Sequence, residues 1–344
     1  MSRPRRVLVV VAVVLSALLV AAGVVSALIR LPYQSIGPGS TRAVNDLVKV
    51  KGHETYPPEG EVLYATVSVR ERVSALQALI GWLDPHTDVV PEKDVRGDIP
   101  RDKYRQLNVE AMSDSKTTAQ VVALAHLGYT DLGAGAVIEA ISPGSPAEAV
   151  LQSQDVVIAV DDKPVADSGD MVEAIRAHRP GDVVRLRLTR GDETLEREAA
   201  LTEAEDGRPL LGVRLSTKVR LPFDITIDSG RVIGPSAGLP YALEVLDVLT
   251  AGELTGGLKV AATGELQTNG TIGPVGGVAQ KVITVKRAGA KVFLVPKANE
   301  AEARSRAGNG LRIMAVEDFD DALTALGSIQ GSNAQALARP SSGT

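Results

Sequence analysis

The chain has 344 residues, 44% of them hydrophobic and 23% charged, which excludes a wholly disordered polymer and leaves room for about two or three domains. A formal net charge of −5 argues against a nucleic-acid partner, which would call for a strongly basic domain. No cysteine is present, so disulfides, cysteine-zinc sites, iron–sulfur clusters and a thiol nucleophile are all excluded.

Residues 1–6 carry Arg3, Arg5 and Arg6, and no charge follows from Val7 to Ile29. A helix over that run would reach about 35 Å, against a bilayer core of about 30 Å. The expectation is a transmembrane signal-anchor at 7–29, with the basic tip in the cytoplasm and the later domains outside the cytoplasmic membrane. A cleaved signal peptide ending near Val25-Ser26-Ala27 is the competing reading. Leu31–Ser40 is rich in Pro and Gly and reads as a stalk opening an N-terminal segment over 30–124. Within it, Glu61–Arg70 has strand-like order, Pro91–Asp102 is irregular, and Thr117–Leu127 is a plausible helix.

Residues 125–204 read as one compact α+β module. Gly135–Ile141 is a short strand, and Ser145-Pro146-Ala147-Glu148 has the composition of a capping box with Pro at the first helical position. Asp155–Val160 is a buried-type strand, and Ser168–His178 is a second helix. Val183–Arg190 and Glu193–Leu201 form a pair turned at Gly191-Asp192. Residues Gly144-Ser145-Pro146-Ala147, Leu151, Asp155–Val160, Lys163-Pro164-Val165 and Arg179-Pro180-Gly181-Asp182 together resemble a bacterial, protease-associated PDZ domain. The resemblance implies a groove between a strand and the helix Ser168–His178, where a peptide C-terminus adds as an extra strand. Leu127-Gly128-Tyr129 is the candidate carboxylate-binding loop, unless Tyr129 is simply core.

The block 205–330 carries the chemistry. In Gly234-Pro235-Ser236-Ala237-Gly238, a serine precedes a helix marked by Leu239, Ala242, Leu243, Leu246 and Leu249. Unpaired N–H groups at a helix start can hold a developing oxyanion, and small neighbours let a substrate backbone approach. Ser236 could instead be an ordinary N-cap, and Pro240 sits awkwardly near the first turn. The serine of an α/β-hydrolase needs a later histidine, and the four histidines (His53, His86, His126 and His178) all precede Ser236. A phosphate-binding loop is a further possibility. A lysine base is the third, because Lys281 falls on or beside the apolar stripe of a helix over Val278–Ala288. Burial there would lower its pKa and free an amine to accept the serine proton. A snorkelling lysine at the edge of the face is the alternative.

Gly-Pro-Ser236-Ala-Gly, Thr263-Gly264-Glu265, Gly276-Gly277 ahead of Lys281, Arg287-Ala288-Gly289 and Val292–Pro296 together resemble the proteolytic domain of Lon-type proteases. The resemblance implies Ser236 as nucleophile, Lys281 as general base and the Thr263 hydroxyl against the lysine, on an α+β fold like ribosomal protein S5 domain 2. ATP-dependent Lon enzymes usually place an acidic residue where this chain has Ile233, so the loop before Ser236 departs from that pattern. The whole order resembles membrane-anchored, PDZ-containing Lon-like proteases. No Gly-x-x-x-x-Gly-Lys-Ser/Thr occurs, so cleavage without ATP of unfolded or flexible proteins is expected, with no cofactor, metal or nucleic acid. Lon-type domains commonly assemble as rings, so a homo-oligomer, six-fold by analogy, is implied. The rival reading is an anchored PDZ adaptor with a degenerate, non-catalytic protease domain. The strand Glu61–Arg70 could belong to the last domain, with the PDZ module inserted, and the sequence leaves this open. Residues 331–344 read as a frayed tail.

Overall fold

A computed structural model describes residues 3–130, 132–204 and 206–337. Met1 and Ser2 of the basic tip, Glu205 at the expected start of the last domain, and residues 338–344 of the expected tail lie outside the described residues.

In chain order, helix α1 spans Arg3–Leu28, strand β1 Tyr33–Ala43, β2 Glu61–Arg70, α2 Ala75–Leu83, β3 Asp88–Pro91 and α3 Arg101–His126. Then come β4 Gly133–Ile141, β5 Val156–Val160, α4 Ser168–Arg176, β6 Val183–Arg190, β7 Glu193–Ala200 and β8 Val213–Val219. The chain continues through α5 Gly238–Leu249, β9 Lys259–Ala262, α6 Val278–Arg287, β10 Val292–Pro296, α7 Glu300–Ala307, β11 Arg312–Val316 and α8 Phe319–Gly327. Among the described residues, contacts separate two compact units, one of residues 3–48, 54–119 and 227–337, the other of 49–53 and 120–226.

The first correction concerns the N-terminus. Helix α1 forms, but among the described residues no helix is long and apolar enough to cross a membrane. The expected transmembrane anchor, and the single-pass placement with outward-facing domains that depended on it, are therefore not supported.

The first unit is mixed α/β. Its sheet runs β11-β10-β9-β2-β1-β3. Strands β2, β9, β10 and β11 are parallel neighbours, with Lys259 opposite Glu61 and Ala262 opposite Tyr64. So Glu61–Arg70 is a central strand of the sheet that also carries 259–316. Leu63, Ala65, Ala261, Phe293, Val295 and Ile313 form one buried face with Val278, Val282 and Val285 of α6 and Ala303 of α7. Side chains alternate along a strand, so Tyr64 points the other way and meets Tyr241 of α5, ring centroids 6.0 Å apart.

Two stretches read from composition as irregular are ordered in this unit. Leu31–Ser40 is no stalk: most of it lies in β1, antiparallel to both β2 and β3. The pairing shifts register between Pro38 and Thr41, which absorbs the proline. A Cβ at Gly39 would lie 2.5 Å from the Thr66 carbonyl oxygen, so the glycine permits close approach rather than a turn. Past Ile329, the Asn333 side chain accepts from Glu253 N at 2.9 Å and Ala334 is fully buried, so that part of the expected tail is docked.

Helix α3 begins well before the expected Thr117. Met112, Ser115 and Ala119 are buried in an otherwise polar segment, and their spacing makes one narrow stripe.

The second unit holds an antiparallel sheet in the order β8-β4-β5-β6-β7, with Arg190 opposite Glu193 across the expected two-residue turn. Met171 and Ile175 of α4 pack on Ile138, Val157, Leu186 and Leu188. The side chain of Asp167 caps α4. After Ser145 the chain forms only a 3-10 turn, Pro146–Ala149, without a side-chain cap. Glu148 instead accepts from Gly144 N at 2.8 Å, and Leu151 turns into the core.

Candidate active site

The Gly-Pro-Ser-Ala-Gly segment is a tight turn leading into α5. Gly234 has φ +97°, a left-handed conformation that favours glycine. Ser236 is half-buried, and Ala237, not Ser236, is the N-cap residue. Pro240 lies in the first helical turn, where a missing N–H costs no intrahelical bond. Helix α5 is buried along nearly its whole length, so the turn is set on a rigid element. Ser236 C=O accepts from Gly264 N at 3.0 Å and from the Thr263 hydroxyl at 3.1 Å. Among the described residues, the Ser236 and Ala237 N–H groups donate no backbone hydrogen bond.

Lys281 is 3% exposed on the inner face of α6. Its Nζ donates to Thr263 Oγ1 at 3.0 Å. Thr263 thus links the lysine to the main chain of Ser236, accepting from one and donating to the other. Among the described residues no direct hydrogen bond joins Ser236 Oγ to Lys281 Nζ. Burial pushes the Lys281 pKa down to about 8, opposed only by the Glu302 carboxylate. The snorkelling alternative does not apply, since the head group is as buried as the stem.

Gly276 is exposed, while Gly277 starts α6 at φ +67° with Val67 Cγ1 only 2.7 Å from where its Cβ would lie. Ile233, at the position of the departure from the Lon pattern, is 45% exposed.

Residues missed from sequence brace these loops. Asn299 accepts from Val275 N at 2.9 Å and donates to Val275 O at 3.1 Å. Glu302 accepts from Ala279 N at 3.1 Å at the start of α6. On α3, Asn108 O accepts from Gly234 N at 2.9 Å and Ser115 Oγ donates to Pro235 O at 3.1 Å. Asn299 and Glu302 follow directly on the Val292–Pro296 signature and could have been sought there. Ser115 stands 120 positions from its partner, and no local pattern marks it.

A separate groove of about 170 Å³ lies in the second unit, lined by Met171, Val172, Ile175 and Arg176 of α4 and by Arg208–Val213 and Leu215. It contains none of Ser236, Thr263 and Lys281. Strand β8 ends its sheet, pairing only with β4 on that path, so its other edge is open to an added strand. Leu127-Gly128-Tyr129 does not line this groove. The three residues terminate α3: Gly128 has φ +86°, and Tyr129 N bonds Leu124 O at 3.0 Å. The Tyr129 ring packs edge-on to Phe223, centroids 5.8 Å apart, and its hydroxyl lies 3.3 Å from His53 Nε2.

Residues 111–201 match the PDZ domain family, and residues 224–327 match the Lon protease (S16) C-terminal proteolytic domain. The Lon protease of Roseiflexus castenholzii is 33% identical over 130 residues, covering 36% of this chain and 16% of that protein. That of Azospirillum brasilense is 38% identical over 146 residues, 42% of this chain and 17% of that protein. The aligned part is thus less than a fifth of either relative's length. Among solved structures, the PDZ domain of an SdrC-like protein from Listeria monocytogenes is 24% identical, covering 24% of this chain and 86% of that chain with a TM-score of 0.23. The chain thus carries one region that matches a PDZ domain and a later one that matches the Lon-type C-terminal proteolytic domain.

Proposed function

We propose that the chain is a serine endopeptidase that cleaves unfolded or flexible polypeptides without ATP, with Ser236 as nucleophile and Lys281 as general base. The observation that carries this reading is a buried lysine with no ion pair among the described residues, tied through Thr263 to the main chain of the serine turn. Neutral Lys281 takes the proton of Ser236 Oγ as the oxygen attacks a peptide carbonyl. Substrate brings the two groups into direct contact, since such bonds commonly tighten only in the complex. The free N–H groups of Ser236 and Ala237 receive the oxyanion. The lysine returns its proton to the leaving amine, and water, activated by the same amine, hydrolyses the acyl-enzyme.

The groove between α4 and β8 takes an extended peptide C-terminus as an added strand, with apolar side chains in the pocket and Arg176 and Arg208 beside the carboxylate. No P-loop motif occurs in this chain, so energy-driven unfolding is not assigned to it, which confines cleavage to chains already open.

The test is cleavage of a denatured protein with ATP removed. Ser236→Ala and Lys281→Ala each abolish it while thermal unfolding stays close to wild type. Either variant cutting at the wild-type rate overturns the mechanism. A wild-type chain that binds peptides in the groove but cuts nothing would favour the adaptor reading.

A further inference from the structure

The serine turn is held from outside the region that matches the Lon family. Asn108 and Ser115 are two helical turns apart on one face of α3, and both grip the segment before Ser236. Asn108 O takes the Gly234 N–H, which removes that N–H as an oxyanion donor. Ser115 is 4% exposed, and its hydroxyl donates to Pro235 O at 3.1 Å. Gly238 N donates to the same carbonyl at 3.2 Å, so two donors pin it. A Cβ on Gly238 would come within 3.1 Å of Ser115 Oγ, so glycine there leaves the hydroxyl its place.

The peptide unit is a rigid plane, with its C=O and N–H on opposite edges. The N–H opposite the pinned Pro235 carbonyl is that of Ser236, one of the two free donors at the turn. We propose that Ser115 is a positioning residue: by clamping the Pro235 carbonyl it sets the plane of the Pro235–Ser236 peptide and aims the Ser236 N–H at the developing oxyanion. This rests on the reading of Ser236 as nucleophile. It adds that part of the catalytic geometry is supplied by a helix preceding the Lon-type region. The hydroxyl exchanges no proton with substrate; it acts through the peptide plane alone.

The test uses the full chain, a fluorogenic peptide substrate, a peptide boronate that forms a tetrahedral serine adduct, and the product peptide. In Ser115→Ala, kcat falls about 10- to 100-fold, less than or equal to the loss of a whole oxyanion donor. KM and product affinity stay within about twofold, and boronate inhibition weakens by the same factor as kcat/KM. Ser115→Cys keeps the volume and weakens the donor. It shows the same pattern at smaller size and decides the matter if the alanine variant does not fold. An unchanged kcat with intact boronate inhibition overturns the proposal. So does a loss in which product affinity and thermal stability fall together, since that is a purely structural role. Wild-type cleavage by Ser236→Ala takes down the serine reading and this one with it. An inert Ser236→Ala beside a fully active Ser115→Ala takes down the clamp alone.

Discussion

Each unit buries a charged group, and the two are treated oppositely. In the second unit, Asp155 is 0% exposed and receives both Nε and Nη2 of Arg190, at 2.7 and 2.8 Å, with Gln152 N at 2.8 Å. Burial alone would raise its carboxyl pKa, but the guanidinium and the backbone donor hold it below the usual range. In the first unit, the hydrogen bond given for Lys281 among the described residues is to the Thr263 hydroxyl, and burial carries its pKa down to about 8 against a weaker pull from Glu302. A buried charge with a fitted partner stays charged and serves the fold. One left without a counter-ion moves toward neutrality, which is what a general base at near-neutral pH requires.

The largest effects come from exchanging Lys281, and Arg190 that pairs with Asp155, for apolar residues. Lys281→Met removes cleavage, by about 10⁴-fold or more, with thermal stability equal to or above wild type, because a desolvated amine is lost. Cleavage persisting in this variant would place the base elsewhere. Arg190→Leu does the reverse. It strands the Asp155 carboxylate and costs the second unit about 3 kcal/mol in urea unfolding, while Asp155→Asn combined with it recovers much of the loss. An Arg190→Leu chain as stable as wild type would show that the pair contributes little.

The pH dependence is next in size. Cleavage rises with pH through about 8 as Lys281 loses its proton, and Ser236→Ala is flat at zero. Stability runs the other way through Glu244 and Asp247, both 1% exposed on α5. Burial first, then the Asp247, Asp46 and Glu253 charges, raises Glu244 from 4.5 to about 8. Burial and Glu253 raise Asp247 from 3.8 to about 7. The folded chain therefore holds protons that the unfolded chain has released. Their contribution is fully present below about pH 4 and is lost as pH rises through 7 to 8. Glu244→Gln raises the melting temperature by several degrees at pH 9 and little at pH 4. An equal gain at both values would contradict the assignment.

The smallest effect concerns the groove. Val172→Glu puts a carboxylate beside the place proposed for a peptide C-terminus. The fold persists, because the residue is 37% exposed, and affinity for peptides with an apolar C-terminal residue drops about tenfold or more. Calorimetric titration reads this directly, and unchanged affinity would move the peptide site elsewhere.

Local chemistry made much of this molecule readable. The turn at Gly191-Asp192, the helix at Val278–Arg287 and the serine turn at 234–238 all follow from neighbours within a few residues. Composition misled where a long-range partner decides. Pro38 and Gly39 look like a loop until β2 and the Thr66 carbonyl are alongside. Leu127-Gly128-Tyr129 looks like a binding loop until it is seen closing α3. The groove proposed for a peptide is built on β8, a strand not picked out from its sequence.

The order of residues by itself determined which groups can do chemistry here: a serine beside small residues at a helix start, a lysine in an apolar stripe, and no thiol or later histidine to compete. It also set the local turns and caps, because these depend on torsions and hydrogen bonds a few residues apart. Only the tertiary structure decided that Thr263 stands between Lys281 and the serine main chain, that Ser115 grips the Pro235 carbonyl, and that β1 and β2 complete the sheet of residues 259–316. Those contacts join segments more than a hundred positions apart or depend on helix packing, and no short-range propensity encodes them.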